Sequence, residues 1–357
     1  MARVQPRYRR QPINRENTLE SLVNETDTGN QPTVDAVTAS HKPGSRLRSA
    51  AQHLGLPAFI ILLAGVTGFV EPRFWSSENL INLSRQIAPL LIISVGQAFA
   101  VISGGLDLSL AACLALSGVY GVMMMNEFGL LAGVATMLVT GVVVGTINGT
   151  IITRFDVSPL VVTLGTLSIC RGLALMASGG LPIYEMPDSF IDIFGYGSIL
   201  GIPTPTIIAI LTLMAGAFIL KKTIFGRYVY AIGSNETAAY SSGINVTLYK
   251  TLVYALAGLC AGIAAIVLTA WVNSAQPMAA TNMELQAIAA VVLGGIALTG
   301  GSGTMLNALY GVIILGMLSN SLNMIGVSSF MQTLVIGVVI VSAVILDKMR
   351  RSGRILN

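Results

Sequence analysis

From Leu54 onward, long apolar runs alternate with short polar or Gly/Pro breaks. About ten runs read as helices crossing a bilayer, with cores at 54–70, 87–103, 108–125, 128–150, 158–177, 205–220, 248–272, 284–299, 303–324 and 327–346. A crossing takes about 20 predominantly apolar residues, so the shorter runs have loosely defined ends. The pattern predicts an all-α, polytopic membrane protein with about ten transmembrane helices. The third run, which follows Asp107, has a re-entrant segment as its alternative reading. Val157-Ser158 followed by Thr163-Leu164 recurs as Val327-Ser328 followed by Thr333-Leu334, opening the fifth and tenth runs. This sketches a faint 5+5 internal repeat of opposite orientation, as transport folds often carry. Gly104-Gly105 and Gly294-Gly295 form another matched pair, but six runs apart and so outside that symmetry.

Composition points to lipid as the solvent. Apolar residues make up 54% of the chain and charged residues only 10%, too little charge to cover a soluble surface. Residues 1–50 are polar, carry eight of the twenty Lys/Arg, and read as a disordered cytoplasmic tail. Residues 51–350 form the membrane domain, with a hydrophilic loop at 221–247, and 351–357 form a second cytoplasmic tail. Loop charge agrees with an even number of crossings: Lys221, Lys222, Arg227 and Lys250 mark the central loop, and Lys348, Arg350, Arg351 and Arg354 the C-terminus. The segment 178–204 has Glu185, Asp188 and Asp192 and no basic residue, as an outside loop should. Arg73 and Arg85, beside Glu71 and Glu78 in the first outside loop, depart from the rule. The formal charge of +4 follows this topology rather than a nucleic-acid surface.

Candidate chemistry is sparse. Cys113, Cys170 and Cys260 lie in apolar runs without paired spacing and read as small core residues, while His41 and His53 precede the first run. No metal or cofactor is expected. In Ser103-Gly-Gly-Leu-Asp-Leu-Ser-Leu110, Asp107 is either a pathway residue or a helix cap, since an ionised Asp in a membrane must face a cavity, backbone N–H groups or a cation. Thr163, Thr166 and Ser168 can hydrogen-bond solute hydroxyls or simply their own helix carbonyls. Arg171, well inside the same run, requires a partner; Asp107 is the acid placed for it by depth, and snorkelling to an interface would serve equally. Between Ser234 and Gly243 the loop reads as a short helix capped by Ser234 and ended by Gly243, a docking element or a mere connector. Gly141-x-x-x-Gly145 and Gly258-x-x-x-Gly262 suit close helix packing.

Several of these segments together resemble the ribose-type ABC importer permeases, the monosaccharide group that includes xylose, arabinose and galactoside permeases. Gly104-Gly-Leu-Asp-Leu-Ser109 is similar to that family's Gly-Gly-Ile-Asp-Leu-Ser signature, and Thr163-Leu-Gly-Thr-Leu with Arg171-Gly172 to its following span. Phe225-Gly-Arg-Tyr-Val-Tyr-Ala-Ile-Gly-Ser-Asn-Glu-Thr-Ala-Ala resembles its coupling loop, and Ile288-Ala-Ala-Val-Val-Leu-Gly-Gly295 with Gly300-Gly-Ser-Gly303 its C-terminal signature. Gln286 stands where the family usually has Asp, and Ala111, Asn307 and Ser321 replace common glycines.

The resemblance implies a bacterial inner-membrane permease with both termini cytoplasmic. It would import a monosaccharide by alternating access, as one of two permease copies, with a separate ABC ATPase subunit and a periplasmic sugar-binding protein. No G-x-x-x-x-G-K-S/T loop is present, so ATP falls to another chain and this one is not itself an enzyme. Asp107, Ser109, Thr163, Thr166 and Arg171 are the implied pathway residues. Gly226, Arg227, Gly233, Asn235, Glu236, Ala238, Ala239 and Gly243 are the implied contacts to the ATPase. A nucleoside or autoinducer-type solute, or an ion-coupled secondary sugar transporter, are the alternatives.

Overall fold

In lipid every backbone polar group must find its partner within the chain, and the computed structural model meets that demand almost wholly with helices. It describes residues 44–351; the rest of both expected tails, with His41, lies outside the described residues. The chain divides into two units, residues 1–49 and 50–357. Of the first, only the opening of α1 (Gly44–Val70) is described.

A 3-10 turn at Pro72–Trp75 leads to α2 (Ser77–Ile102), α3 (Leu110–Phe128), α4 (Leu130–Phe155) and α5 (Pro159–Ser178). The segment that follows holds a short α6 (Asp188–Ile191), a π-helical turn at Asp192–Tyr196 and a two-stranded antiparallel hairpin, β1 (Ser198–Ile199) and β2 (Ile202–Pro203), with Ser198 opposite Pro203. Then come α7 (Thr204–Lys222), α8 (Ile224–Ser234), α9 (Glu236–Ser241), α10 (Val246–Val272), α11 (Met283–Leu293), α12 (Met305–Met324) and α13 (Ser329–Arg351).

Each of the ten apolar runs contains one of these helices. Among the described residues, seven are long and apolar enough to cross a membrane: α2, α3, α4, α5, α7, α10 and α12. Three others hold shorter apolar stretches, Gly55–Val70, Met283–Leu293 and Phe330–Val339. The run expected at 284–299 is interrupted. α11 ends at Leu293, and Gly295, at φ +99°, turns the chain away. Eleven residues reach about 16 Å, roughly half of a hydrocarbon core. α3, at 19 residues, is about 28 Å long.

The turns that precede α5 and α13 share local geometry. Asp156 (φ 52°) and Gly326 (φ 79°) each turn the chain three residues before the next helix begins, at Pro159 and Ser329. Gly104 and Gly105 close α2 on Val101 O and Ala100 O, and Gly295 and Ile296 close α11 on Val292 O and Val291 O in the same way, so the two glycine pairs are out of register by one residue. These are the two bonds of a Schellman-type helix end.

α2 is the central helix: 83% of its apolar window is buried, against 22% for α4 and for α5. Around it pack α10, α7, α12 and α11, and Leu91, Ile92, Ile93, Phe99 and Ile102 of α2 belong to the largest apolar cluster. The most extensive helix pair is α4 with α10. A Cβ added to Gly141 or Gly145 would run into the backbone of Gly258 or Tyr254, and one on Gly258 into that of Gly141. These two helices therefore meet backbone to backbone, the close approach that small residues permit in lipid. The two arginines that broke the charge rule are both held. Arg73 Nε and Nη2 donate to the Glu71 carboxylate at 2.8 and 3.0 Å, and those bonds keep the Glu71 carboxyl below its ordinary range. Arg85 donates to Tyr196 O at 3.3 Å and lies over that ring.

Gly258→Val is expected to lower the midpoint of thermal unfolding in detergent, at a cost of about 1–3 kcal/mol for overpacking. Gly165→Ala, on a face of α5 with nothing within 4 Å of the added atom, should hold the midpoint at or slightly above the wild-type value, since Ala favours a helix interior over Gly.

Candidate functional site

The seven-residue break between α2 and α3 buries Asp107 completely. Its Oδ1 accepts the backbone N–H of Ser109 at 2.9 Å and the Ser109 hydroxyl at 2.6 Å. Asp107 thus caps a donor just ahead of the helix, while the N-cap position itself belongs to Ser109. The chain of bonds continues. Asn148 Nδ2 of α4 donates to Ser109 Oγ at 2.9 Å, and Thr166 Oγ1 of α5 donates to Asn148 Oδ1 at 2.6 Å. Asp107, Ser109, Asn148 and Thr166 form one polar layer joining three helices, with all four residues buried.

Its depth follows from helix geometry. Asn148 lies about two turns before α4 ends and Thr166 about two turns after α5 begins, which puts the layer about 10 Å inside that face of the helices. In this conformation its groups bond to each other, and one atom of the layer, Asp107 Oδ2, is buried without a partner. The arrangement therefore acts as a lock between helices and offers a solute no open surface.

Of the five expected pathway residues, three meet in this layer. Thr163 does not join it: its hydroxyl bonds back to Pro159 O at 2.9 Å, the local alternative that helix hydroxyls always have. Arg171 also stands apart. Rather than pairing with Asp107, it donates Nη1 to Pro277 O and Ala279 O at 2.8 and 3.0 Å, pinning the segment between α10 and α11. A guanidinium satisfies carbonyls as readily as carboxylates, and sequence depth alone does not separate the two. Asn148 was missed, although an amide alone in an apolar run was a readable signal.

The loop at 221–247 is more helical than expected. α8 fills its first half, capped by the Thr223 hydroxyl on Gly226 N. α9 starts at Glu236 with Asn235, not Ser234, as its cap, Oδ1 accepting from Ala238 N at 2.9 Å. Its end is as expected, with Gly243 at φ +86°. The eight expected contact residues divide by direction. Gly226 and Ala239 are buried and Gly233 is half-buried, whereas Arg227, Asn235, Glu236, Ala238 and Gly243 are exposed. A Cβ on Gly233 would strike Ile102 O, and Tyr230 Oη donates to Gly303 O at 2.6 Å. These contacts seat α8 against the end of α2 and the loop 294–304.

Between α9, the start of α10 and the α4–α5 turn lies a cavity of about 300 Å³, bounded by Gly104, Asp156, Ser158, Glu236 and Lys250 among others. Ile152, which also lines it, is one turn of α4 below Asn148. The cavity thus opens the same end of the bundle from which the polar layer is recessed.

Asn148→Leu should cost about 1–3 kcal/mol in thermal unfolding, because it strips Ser109 Oγ and Thr166 Oγ1 of a buried partner. Thr163→Val, whose hydroxyl bonds only within its own helix, should cost less than half as much in the same measurement.

Compared with known proteins, residues 79–344 match the family described as branched-chain amino acid transport system / permease component. The chain is 43% identical over 312 residues to the ribose import permease protein RbsC of Bacillus subtilis (strain 168), covering 83% of this chain and 93% of that one. It is 39% identical over 300 residues to the ribose import permease protein RbsC of Escherichia coli (strain K12), covering 83% and 93%. To the D-allose transport system permease protein AlsC of Escherichia coli (strain K12) it is 33% identical over 293 residues, covering 81% and 90%.

Proposed function

Because this chain belongs to the branched-chain amino acid transport system / permease component family and, within it, to the ribose-type ABC permeases, we propose that it imports a monosaccharide across the inner membrane by alternating access. The observation that carries this reading is the likeness, over more than four-fifths of the chain, to permeases named for ribose and for D-allose. Their substrates differ but are all aldoses, so the class is carried over and the individual sugar is not. A separate ATPase subunit docks on α8 and α9, a binding protein delivers sugar on the opposite face, and a second permease copy completes the pathway.

Several features support that layout. The helices α8 and α9 lie in a basic inter-helix loop with Lys221, Lys222 and Arg227, which supports a cytoplasmic position for it and for both termini. Ten crossings follow if α1, α11 with the loop 294–304, and α13 complete the seven long helices. Residues 1–50 and 351–357 are then cytoplasmic tails, and 221–247 the coupling loop. The open face of α5 carries Gly165 and Gly172, with nothing within 4 Å of an added Cβ at either, and exposed Ser168. That face suits a second copy and the solute path between them. Asp107, Ser109 and Thr166 act from behind it, as the layer that must rearrange when the path opens, while Arg171 ties α5 to the segment after α10 and Thr163 bonds only within α5.

Hydrolysis of ATP by the partner supplies the energy. Its nucleotide-dependent closure presses on α9, and the helices rock between outward- and inward-facing states. Asn235→Cys and Ala238→Cys are expected to crosslink to the ATPase subunit, whereas Ala239→Cys, on the buried face of α9, is not. Absence of any crosslink at the exposed positions counts against docking there. Vesicles containing all three components should take up labelled ribose or allose only with ATP inside; uptake that survives ATP removal and collapses with the ion gradient contradicts the reading.

A further inference from the structure

α9 is a six-residue helix held to the body of the protein by few contacts. Ala239 packs with Ile232 and Val246 in a small apolar cluster. The other tie is an ion pair, Lys250 Nζ to Glu236 Oε2 at 2.7 Å. Its two ends sit in different surroundings. The Glu236 side chain, in the first turn of α9, is 54% exposed, and that of Lys250, in the second turn of α10, only 11%. A nearly buried ammonium is thus compensated by a carboxylate that can be reached from outside. Displacing that carboxylate alone would strand the charge, so the ammonium either follows it or pairs with another carboxylate.

What Lys250 is attached to matters as much. One turn further along α10, on the same face, Tyr254 is fully buried with its hydroxyl 3.4 Å from Leu106 O. Leu106 precedes Asp107 of the polar layer. α10 is also fixed backbone to backbone to α4, which carries Asn148 of that layer. Movement of Lys250 along α10 therefore bears on the layer from two sides. The cavity of about 300 Å³ beside the pair gives the side chain room, and Asp156 offers a second carboxylate at its wall.

We propose that the Glu236–Lys250 pair is the joint that passes displacement of α9 into α10, with Lys250 a positioning residue, too deeply placed to dock a partner itself. The inference rests on the reading of α9 as the surface an ATPase subunit presses. It does not depend on which sugar is carried.

The test uses the complete importer in lipid vesicles, measuring solute delivered per ATP hydrolysed. Lys250→Met is expected still to capture the ATPase subunit but to deliver about tenfold less solute per ATP, within the usual range of coupling between sites. Lys250→Arg should stay near wild type. Glu236→Lys combined with Lys250→Glu should exceed either single variant by about threefold, as coupled neighbours do in a double-mutant cycle. This exchange keeps both charges and decides the matter should Lys250→Met fail to assemble. Wild-type yield in Lys250→Met, or an exchanged pair no better than the worse single variant, overturns the joint while leaving the ATPase reading intact. A wild-type permease that captures no ATPase overturns both.

Discussion

Lipid gives helices no hydrophobic reason to prefer each other, so the backbone contact of α4 with α10 is the interaction on which the rest of this structure depends. Gly141, Gly145 and Gly149 form one edge of it, and Gly258, Gly262 and the backbone at Thr251 and Tyr254 the other. Close approach multiplies dispersion contacts that neither helix could gain against lipid chains. It also sets two placements. Asn148 lies on the α4 side, within reach of both Ser109 and Thr166, and Tyr254 on the α10 side, against the broken segment before Asp107. A side chain at the glycines would move both.

That scaffold explains how an acid can reside at this depth. Asp107 is costly in a membrane, and the fold meets part of the cost with the two donors of Ser109. The result is a buried polar layer about two turns from one face, nearly closed on itself and surrounded by apolar packing. Such networks specify one arrangement of their helices and resist half-measures, since any group left unpaired is expensive. A transporter needs a few discrete arrangements rather than a continuum, and a lock of this kind supplies one.

The helices were largely legible because lipid makes the signal simple: each of the ten apolar runs holds one. What the runs could not tell is how far a helix continues. α11 stops at Leu293 because Gly295 takes a left-handed turn, and an apolar count passes over that change. α8 was hidden by its own composition, since Arg227 with Tyr228 and Tyr230 in a basic stretch looks like loop when half the surface faces water. Asp107 and Thr166 were candidates from residue type and Ser109 from the resemblance, but their union depends on Asn148 of α4, which bonds both Ser109 and Thr166. Arg171 shows the limit most plainly. Its need for a partner was readable, yet the partners are carbonyls of Pro277 and Ala279, which any sequence would offer.

The transport reading finally depends on which side of the bilayer α8 and α9 occupy, since an ATPase can press only from the cytoplasm. Thr237 is exposed on α9, and Cys113, Cys170 and Cys260 are all buried, so a cysteine placed at 237 can be labelled over a low background. The account predicts that a membrane-impermeant maleimide modifies Thr237→Cys in inside-out vesicles and leaves it untouched in right-side-out ones. Labelling in right-side-out vesicles, with none in inside-out ones, would contradict it.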